Sequence, residues 1–402
     1  MGVRTLLRHA ILRRMVTIAL LMVFIAVSLA VLPVVFVVTG PFALIPGTRA
    51  RPIRFGSFLA VYLAAETIGL LTALWLWLRL GLRVEAGPDT GALPDSASVS
   101  APVSGLGPRG GEARRQRYQD ANYALLSRLL TWLYAVAEKT FGLRIRVPEV
   151  VETDESGLAQ PAEGVLADGP LLVLSRHGGP GDSFLLVHAL LVYAHRRPLI
   201  VLKDTLAFDP LIDVILNRVP HCFITPRHPV GEDAPADAPT PAAAPALEVS
   251  AASADMAASI GRMAAAMGHS DALLVFPEGA NFTVGRRLRV IARLRRQGHP
   301  RAALRAQRLR NVLPPHPNGV FAAIDAAPGA QLVFVAHTGL DHMQSAADVW
   351  RGVPLDRPAS VTWWTLPAAR VPAQVPARLA WLEENWSQVD RWITREQAAS
   401  EA

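Results

Sequence analysis

The chain has 402 residues, of which 51% are hydrophobic and only 18% are charged, a balance that argues against a fully soluble monomer. The formal net charge is +7, and nearly all of the basic residues are arginine, because Lys139 and Lys203 are the only lysines. Arginine binds oxyanions in a bidentate manner, so the excess suits contacts with phosphates or anionic lipids. The single cysteine, Cys222, excludes an intrachain disulfide framework and a cysteine-based metal cluster.

Two apolar segments lie near the N-terminus. Residues 15–47 contain no charged side chain, and their first part exceeds the roughly 20 apolar residues that cross a bilayer. A second apolar run follows an arginine-bearing loop. We therefore predict a transmembrane hairpin over residues 1–83, with spans at about 15–39 and 55–78. A secretory signal peptide is the alternative for the first segment, but its apolar region has only about 7–15 residues.

The arginines around these segments bear on the orientation of the hairpin. Four arginines precede the first span and three lie in the loop, so the positive-inside rule discriminates weakly and favours cytoplasmic termini. We expect an integral protein with its folded body on the cytoplasmic face of the plasma membrane. Glu66 lies inside the second span, where a carboxylate is costly, and it marks either a function or a buried, helix-packed side chain.

The folded body follows a linker. Residues 84–115 are rich in Gly, Pro, Ser and Ala, which predicts a flexible linker and a folded domain over 116–395. Apolar residues recur at helical spacing over 118–141, which predicts an amphipathic helix against the membrane or the core. A Pro/Ala-rich insertion at 229–253 should be disordered.

Short apolar runs alternate with helical patterns through this domain. Strands are predicted at 170–175, 198–202, 222–225, 272–276 and 331–336, and helices at 184–194 and 254–267. This alternation predicts an α/β domain with a largely parallel sheet flanked by helices.

Two polar turns follow predicted strands, and sites in α/β sheets lie at the carboxyl ends of strands. In the first turn, the spacing of His177 and Asp182 lets the carboxylate fix one imidazole nitrogen and leave the other as a general base. His228 and Asp233 have the same interval with no helix behind them, so spacing alone is weak support. The second turn, residues 276–279 (FPEG), lets backbone N–H groups and a carboxylate approach a polar ligand, or is an ordinary loop.

In this order the motifs resemble the glycerolipid acyltransferase family, whose best-known members are 1-acylglycerol-3-phosphate acyltransferases. The resemblance covers roughly residues 120–395 and rests on the two turns and on residues 222–227 (CFITPR). Residues 276–282 (FPEGANF), 311–320 (NVLPPHPNGV) and 381–386 (WLEENW) are similar to its membrane-hairpin branch, which includes lysophospholipid acyltransferases.

The resemblance implies transfer of a fatty acyl group from acyl-CoA, or from acyl carrier protein, to a hydroxyl of a glycerolipid. With 1-acylglycerol-3-phosphate as acceptor, the product is phosphatidate. His177 would be the general base and Asp182 its orienting group, with no covalent acyl-enzyme, no metal and no cofactor. Arg227, Glu278 and Gly279 would bind the acceptor and its phosphate. The implied partners are acyl-CoA, a lysophospholipid and membrane lipids.

The sequence departs from the family pattern around the phosphate. Pro220 replaces a usual glycine, Arg227 comes one position late, and the usual arginine after the FPEG turn is missing. Phosphate binding then falls to Arg286, Arg287 or Arg176. Two alternatives stay open: another lysophospholipid or a glycolipid as acceptor, and a non-catalytic lipid-binding protein of the same fold.

An arginine-rich segment follows the second turn. Residues 286–310 contain ten arginines and no acidic residue, which suits anionic lipid headgroups, the phosphates of coenzyme A, or simply a solvated helical face. The segment lacks interleaved aromatic residues, so no nucleic acid partner is expected. His337 and His342 have no evident third ligand, which favours packing or loop histidines over a metal pair.

Overall fold

The structure is a computed structural model. It describes residues 10–43, 45, 49–82, 108–147, 166, 168–179, 181–203, 208–219, 221–224, 251–341, 343 and 345–401. The predicted site residue Arg227, most of the predicted linker and most of the Pro/Ala insertion lie outside these ranges.

The helices in this part of the chain are α1 (Ala10–Ala43), α2 (Arg51–Leu76, continued by a π-helical turn at Trp77–Gly81), α3 (Pro108–Phe141), α4 (Asp182–Val192), α5 (Pro210–Leu216), α6 (Ala251–Ala265), α7 (Val284–Arg296), α8 (Pro300–Arg308), α9 (Pro317–Ala326), α10 (Ala346–Gly352) and α11 (Val375–Glu401). Helix α3 begins inside the predicted linker, and α6 begins inside the predicted insertion.

The strands are β1 (Ile145–Arg146), β2 (Leu171–Ser175), β3 (Arg197–Lys203), β4 (His221–Ile224), β5 (Asp271–Val275), β6 (Gln331–Thr338) and β7 (Ala359–Pro367). They form one sheet in the order β1-β7-β6-β2-β5-β3-β4. Every pair is parallel except β6 with β7. The predicted α/β fold with a largely parallel sheet is therefore confirmed.

Both faces of the sheet are covered, which explains why the central strands are apolar without alternation. All five residues of β2 are buried. Leu172 and Leu174 pack on one face with α6, α9 and α11, whereas Leu171 and Val173 pack on the other with α3 and α4. Strand β2 is therefore packed between two apolar cores, which fix the position of the loop that follows it.

Helices α1 and α2 contain the two predicted spans. Both are long and apolar enough to cross a membrane. Helix α1 exposes large apolar side chains on several sides, such as Leu20, Leu29 and Val37. A helix that is hydrophobic on all sides and is not covered by protein suits contact with lipid, because exposing so much apolar surface to water is unfavourable.

Helix α2 is bound to the globular part at both of its ends. Near its start, Arg54 Nη1 donates a hydrogen bond to the carbonyl oxygen of Thr140, at the end of α3, over 2.7 Å. Near its far end, the carbonyl oxygen of Ala73 accepts one from Arg218 Nη1 over 2.6 Å. In between, α2 packs along α3. The second helix of the hairpin is thus an integral layer of the fold.

Helix α1 is fixed to the globular part by a buried ion pair. Asp213 on α5 is fully buried, and its two carboxylate oxygens face Arg13 Nη2 at 2.5 Å and Arg14 Nε at 2.8 Å. Asn217 Nδ2 also donates to this carboxylate over 2.9 Å. Arg13 and Arg14, which precede the apolar part of α1, therefore have a specific partner, in addition to any role in orienting the hairpin.

Candidate active site

The two polar turns predicted from the sequence meet at one edge of the sheet. Strands β2 and β5 are parallel neighbours, with Leu174 opposite Val275. The residues that follow these strands consequently lie side by side. The ring centroids of His177 and Phe276 are 4.4 Å apart and the rings are stacked at 26°.

His177 and Asp182 form a hydrogen-bonded pair. The imidazole Nδ1 lies 3.1 Å from Oδ1 and 3.2 Å from Oδ2 of Asp182, the first residue of α4. An ionised carboxylate only accepts hydrogen bonds, so this contact places the proton of a neutral imidazole on Nδ1. The other ring nitrogen, Nε2, is then free of its proton and can accept one. The ring lines a large cavity, and the side chain is 13% exposed.

The surroundings of Asp182 favour its ionised form. Burial alone would raise the pKa of this carboxyl, but the hydrogen bond and charge of His177, the nearby His337 and the backbone N–H of Gly179 together hold it below its usual range. Gly179 N–H donates to Oδ2 over 3.0 Å, and Ser183 Oγ donates to Oδ1 over 3.3 Å. Its place in the first turn of a helix also stabilises a negative charge. Asp182 is thus a fixed, charged partner for the imidazole.

Glu278 holds the backbone around His177. Its Oε1 accepts a hydrogen bond from the His177 N–H over 2.8 Å, and its Oε2 accepts one from the Leu313 N–H over 2.7 Å. The side chain is buried and is not part of the cavity wall. Burial raises the pKa of Glu278 to about 8, against the opposing effect of the two N–H groups and of Arg176. Glu278, which was predicted to bind the acceptor, thus directs both carboxyl oxygens to backbone N–H groups, one of them in the loop that carries His177.

Gly279 forms the tight turn that the sequence suggested. It has a φ of +68°, and its N–H donates to the carbonyl oxygen of Phe276 over 3.1 Å. A Cβ at this position would lie 3.2 Å from the ring of His316. Gly279 lines the cavity, so a ligand can approach this turn closely.

Arg176, which was predicted as a phosphate ligand, is buried and has protein partners for its guanidinium. It is 1% exposed, and its guanidinium donates to the carbonyl oxygens of Asn311 and His337 over 3.2 and 2.7 Å. Its remaining nitrogen forms an ion pair with Asp341. Although the residue adjoins His177 in sequence, every nitrogen of its guanidinium is directed into the protein, where it links β2 to β6.

The other two arginine candidates differ in their freedom. Arg287 donates from Nε and Nη2 to the carbonyl oxygens of Leu309 and Gln307 over 2.5 and 2.7 Å, so its guanidinium supports the backbone. Arg286 donates from Nη1 to the carbonyl oxygen of Asn281, a residue of the cavity wall. Of the candidates in the described part of the chain, only Arg286 therefore stands beside the cavity with guanidinium nitrogens left for a ligand.

Residues 286–310 form the two helices α7 and α8. Several of their arginines are exposed, together with the apolar side chains of Val284, Leu288 and Leu304. One arginine, Arg305, pairs with Glu383 at 2.9 Å.

His337 is a packing histidine in the described structure. It is 1% exposed, and its Nε2 lies 3.0 Å from the carbonyl oxygen of Arg176 and 3.7 Å from Oδ2 of Asp182. Burial, reinforced by the charge of Arg176, lowers its pKa. His342 lies outside the described residues. Within those residues, no group of three or more His, Cys, Asp and Glu side chains is placed to hold a metal ion.

The sequence analysis missed a second set of supporting residues behind the site. Asp390 on α11 accepts hydrogen bonds from the backbone N–H groups of Arg310 and Asn311 over 2.9 and 2.6 Å. Asn311 in turn accepts from Arg176. The sequence identifies residues 311–320 only as a motif similar to that of a family. No local pattern marks Asp390, because the partners of Asp390 lie about eighty residues away in the chain.

A large apolar cavity opens at the histidine. Its volume is about 840 Å³. Most of its wall consists of apolar side chains from helices α2 to α5, among them Phe58, Leu129, Leu185 and Ile215. A reactive imidazole at the side of such a cavity can act on a polar group at the end of a long hydrocarbon chain.

One comparison with known proteins bears on this geometry. Residues 150–337 match the model of the Acyltransferase family. The match runs from the segment before β2 to His337 and includes both turns of the site. No curated protein and no solved structure matches the chain. As the resemblance to glycerolipid acyltransferases predicted, residues 150–337 are a domain of the Acyltransferase family.

Proposed function

We propose that the protein transfers a fatty acyl group from acyl-CoA to the free hydroxyl of 1-acylglycerol-3-phosphate, forming phosphatidate at a membrane. The observation that carries this proposal is the His177–Asp182 pair at the side of an apolar cavity of about 840 Å³. The Acyltransferase domain supports the reaction class, and the apolar wall supports a long acyl chain as one of the substrates.

The chemistry follows from the hydrogen bonds of His177. Its Nε2 accepts the proton of the acceptor hydroxyl while the hydroxyl oxygen attacks the thioester carbonyl carbon. The tetrahedral intermediate then expels the thiolate, which receives that proton from Nε2, so the histidine ends neutral. Asp182 stabilises the transient imidazolium through Nδ1. The new ester and the free thiol are the products, and no covalent acyl-enzyme forms.

The arginines around the cavity bear on the headgroup of the acceptor. Arg176 and Arg287 direct their guanidinium groups to backbone carbonyl oxygens, which leaves Arg286 beside the cavity. Among the described residues this scarcity of free arginine favours a second candidate: an acceptor whose headgroup is larger or less charged than a bare phosphate, such as another lysophospholipid or a glycolipid.

Helices α1 and α2 support membrane attachment. Their lengths and apolar surfaces suit a bilayer, and α2 supplies part of the cavity wall, so lipid substrates can enter from the membrane side. We place the catalytic domain on the cytoplasmic face, as the arginine distribution favours.

The experiment is acyl transfer in membranes that contain the full chain. Labelled acyl-CoA is supplied with a panel of acceptors: 1-acylglycerol-3-phosphate, several lysophospholipids and a glycolipid. We expect product from the wild type and none from His177→Ala, while the exposed His269→Ala serves as the matched control and keeps full activity. Equal transfer by wild type and His177→Ala would contradict the mechanism. Transfer to an acceptor other than 1-acylglycerol-3-phosphate would select the second candidate.

A further inference from the structure

Besides His177, Ser183 and Asn281, the wall of the cavity contains a group of three polar side chains. Tyr62 and Glu66 of α2 and Asp209, at the start of α5, all line the cavity. We call these three residues the α2 polar cluster. The mechanism described above does not use them, and the rest of the wall on this side is apolar.

The cluster lies to one side of the catalytic histidine. Asp209 follows β3, and β3 and β2 flank β5 on its two sides. Neighbouring strands are about 4.8 Å apart, so the carboxyl ends of β2 and β3 are separated by about 10 Å. A chain whose reacting end is at His177 therefore reaches the α2 polar cluster with a more distant part.

Tyr62 and Asp209 hydrogen-bond to each other, and Asp209 also hydrogen-bonds to the backbone. Tyr62 Oη donates to Oδ2 of Asp209. The other oxygen of Asp209, Oδ1, accepts a hydrogen bond from the Ile212 N–H over 2.8 Å and caps α5. The phenol proton and both oxygens of this aspartate are thus already engaged.

Glu66 has one carboxyl oxygen that lacks a donor. The residue is 3% exposed and lies beside Tyr62 and Asp209, and the backbone N–H of Leu211 hydrogen-bonds to its carboxyl group. Within the described part of the chain, its buried Oε2 has no hydrogen-bond partner. Buried oxygens without a donor are rare in folded proteins because the lost hydration is not replaced. A molecule in the cavity that brings one donor would remove this deficit.

The chemistry of the cavity selects the kind of donor. The apolar wall receives hydrocarbon, so a donor there must be carried on a hydrocarbon chain. A hydroxyl group is neutral and costs little to bring into an apolar space once it is hydrogen-bonded, whereas an ammonium group is costly to desolvate. A hydroxyl group on the acyl chain therefore fits both the apolar wall and the unpartnered oxygen.

We propose that the α2 polar cluster binds a hydroxyl group on the fatty acyl chain, through Glu66 Oε2, so that the protein prefers hydroxylated acyl chains. This inference rests on the proposed acyl transfer, because that function places an acyl chain in the cavity. Glu66 is then a residue that determines acyl-chain specificity.

Binding of free fatty acids tests the proposal without turnover. The full chain in detergent is loaded with a fluorescent fatty acid, which is displaced by stearate and by monohydroxystearates that carry the hydroxyl at successive carbons. We expect at least one isomer to bind about tenfold more tightly than stearate, as one hydrogen bond to a carboxylate provides. Glu66→Leu should abolish this preference, and Glu66→Gln, which keeps a carbonyl acceptor, should retain part of it.

The control variant is Glu138→Leu on α3, since that glutamate is exposed and does not line the cavity. It should keep the preference of the wild type. The proposal is overturned if no hydroxystearate binds more tightly than stearate, or if Glu66→Leu and Glu138→Leu show the same preference. Tighter binding of aminostearate than of any hydroxystearate would also overturn it, in favour of a cationic ligand.

A parallel transfer assay with stearoyl-CoA and hydroxystearoyl-CoA separates this inference from the proposed function. A binding preference with no transfer of either chain would contradict the proposed function and support the cluster as a hydroxyl site. Transfer of both chains at equal efficiency, with no binding preference, would contradict the inference alone.

Discussion

The substitution Glu278→Gln tests whether Glu278 positions the loop that carries His177 or binds the acceptor. In the folded protein the two carboxyl oxygens accept hydrogen bonds from the N–H groups of His177 and Leu313. The glutamine side chain has the same shape, but only its carbonyl oxygen can accept. Its NH₂ group would face the second N–H, so one of the two hydrogen bonds is lost.

The magnitude follows from that count. One buried N–H left without an acceptor costs about 1–3 kcal/mol of folding stability. Alanine would leave both N–H groups unsatisfied and should cost roughly twice as much, which is a large share of the 5–15 kcal/mol by which typical domains are stable. Glu278→Gln is therefore the variant that should still fold, while the loop that carries His177 becomes less well fixed.

The pH dependence of stability provides a second measure. Burial raises the pKa of Glu278 to about 8 from its ordinary 4.5, so between these values the folded state keeps a proton that the unfolded state has released. The contribution of this group to stability therefore falls as the pH rises from about 4.5 to 8. Glu278→Gln should remove that part of the pH dependence, which thermal unfolding at several pH values would show.

The decisive assay is steady-state transfer at varied acceptor concentration. A positioning residue acts on the geometry of the general base, so Glu278→Gln should lower kcat by about tenfold or more and leave the acceptor KM almost unchanged. An increase in the acceptor KM at constant kcat would refute this reasoning and restore the role of Glu278 in binding the acceptor.

Three further substitutions have defined outcomes. Asp182→Asn should lower kcat by about 10²–10⁴-fold in the transfer assay with little change in the acceptor KM, because the amide no longer fixes the imidazole tautomer or its positive charge; near-normal turnover would remove Asp182 from the mechanism. Arg13→Ala should destabilise the full chain by about 3–5 kcal/mol in chemical unfolding, because it leaves the buried Asp213 carboxylate with one arginine fewer, and an unchanged midpoint would show that this pair is not formed. Gly279→Ala should lower stability by about 1 kcal/mol or more, since φ is +68° and the new methyl group would press on the His316 ring; a thermal shift of zero would indicate that the turn adjusts freely.

The fold was largely predictable because its strands are short apolar runs between breakers. The runs at 171–175 and 272–275 are buried on both faces of a covered sheet, and such strands are evident in a sequence. Strands β1 and β7 were missed. Strand β1 has only two residues, which is too short for a recognisable pattern. Strand β7 (Ala359–Pro367) pairs antiparallel with β6, whereas the alternation of strands and helices indicated parallel strands.

The candidate site was predictable where its residues are close in sequence. His177 and Asp182 are five residues apart and meet as the spacing suggested. The roles of Arg176 and Glu278 could not be read in this way. Their partners, Asn311 and Leu313, are more than thirty residues away in the chain. The identity of a charged residue does not tell whether its side chain faces the protein interior or a substrate.

Helix α2 is long and apolar enough to cross a membrane, and it also forms part of the cavity wall. Its residues Phe58, Tyr62 and Glu66 form one side of the cavity that opens at His177. A truncated chain that starts at α3 would lack that side. Its cavity would be an open groove, and under the proposed function its selectivity for the acyl chain would be lost. In this protein the apolar hairpin and the cavity at His177 are therefore parts of one structure and have to be studied together.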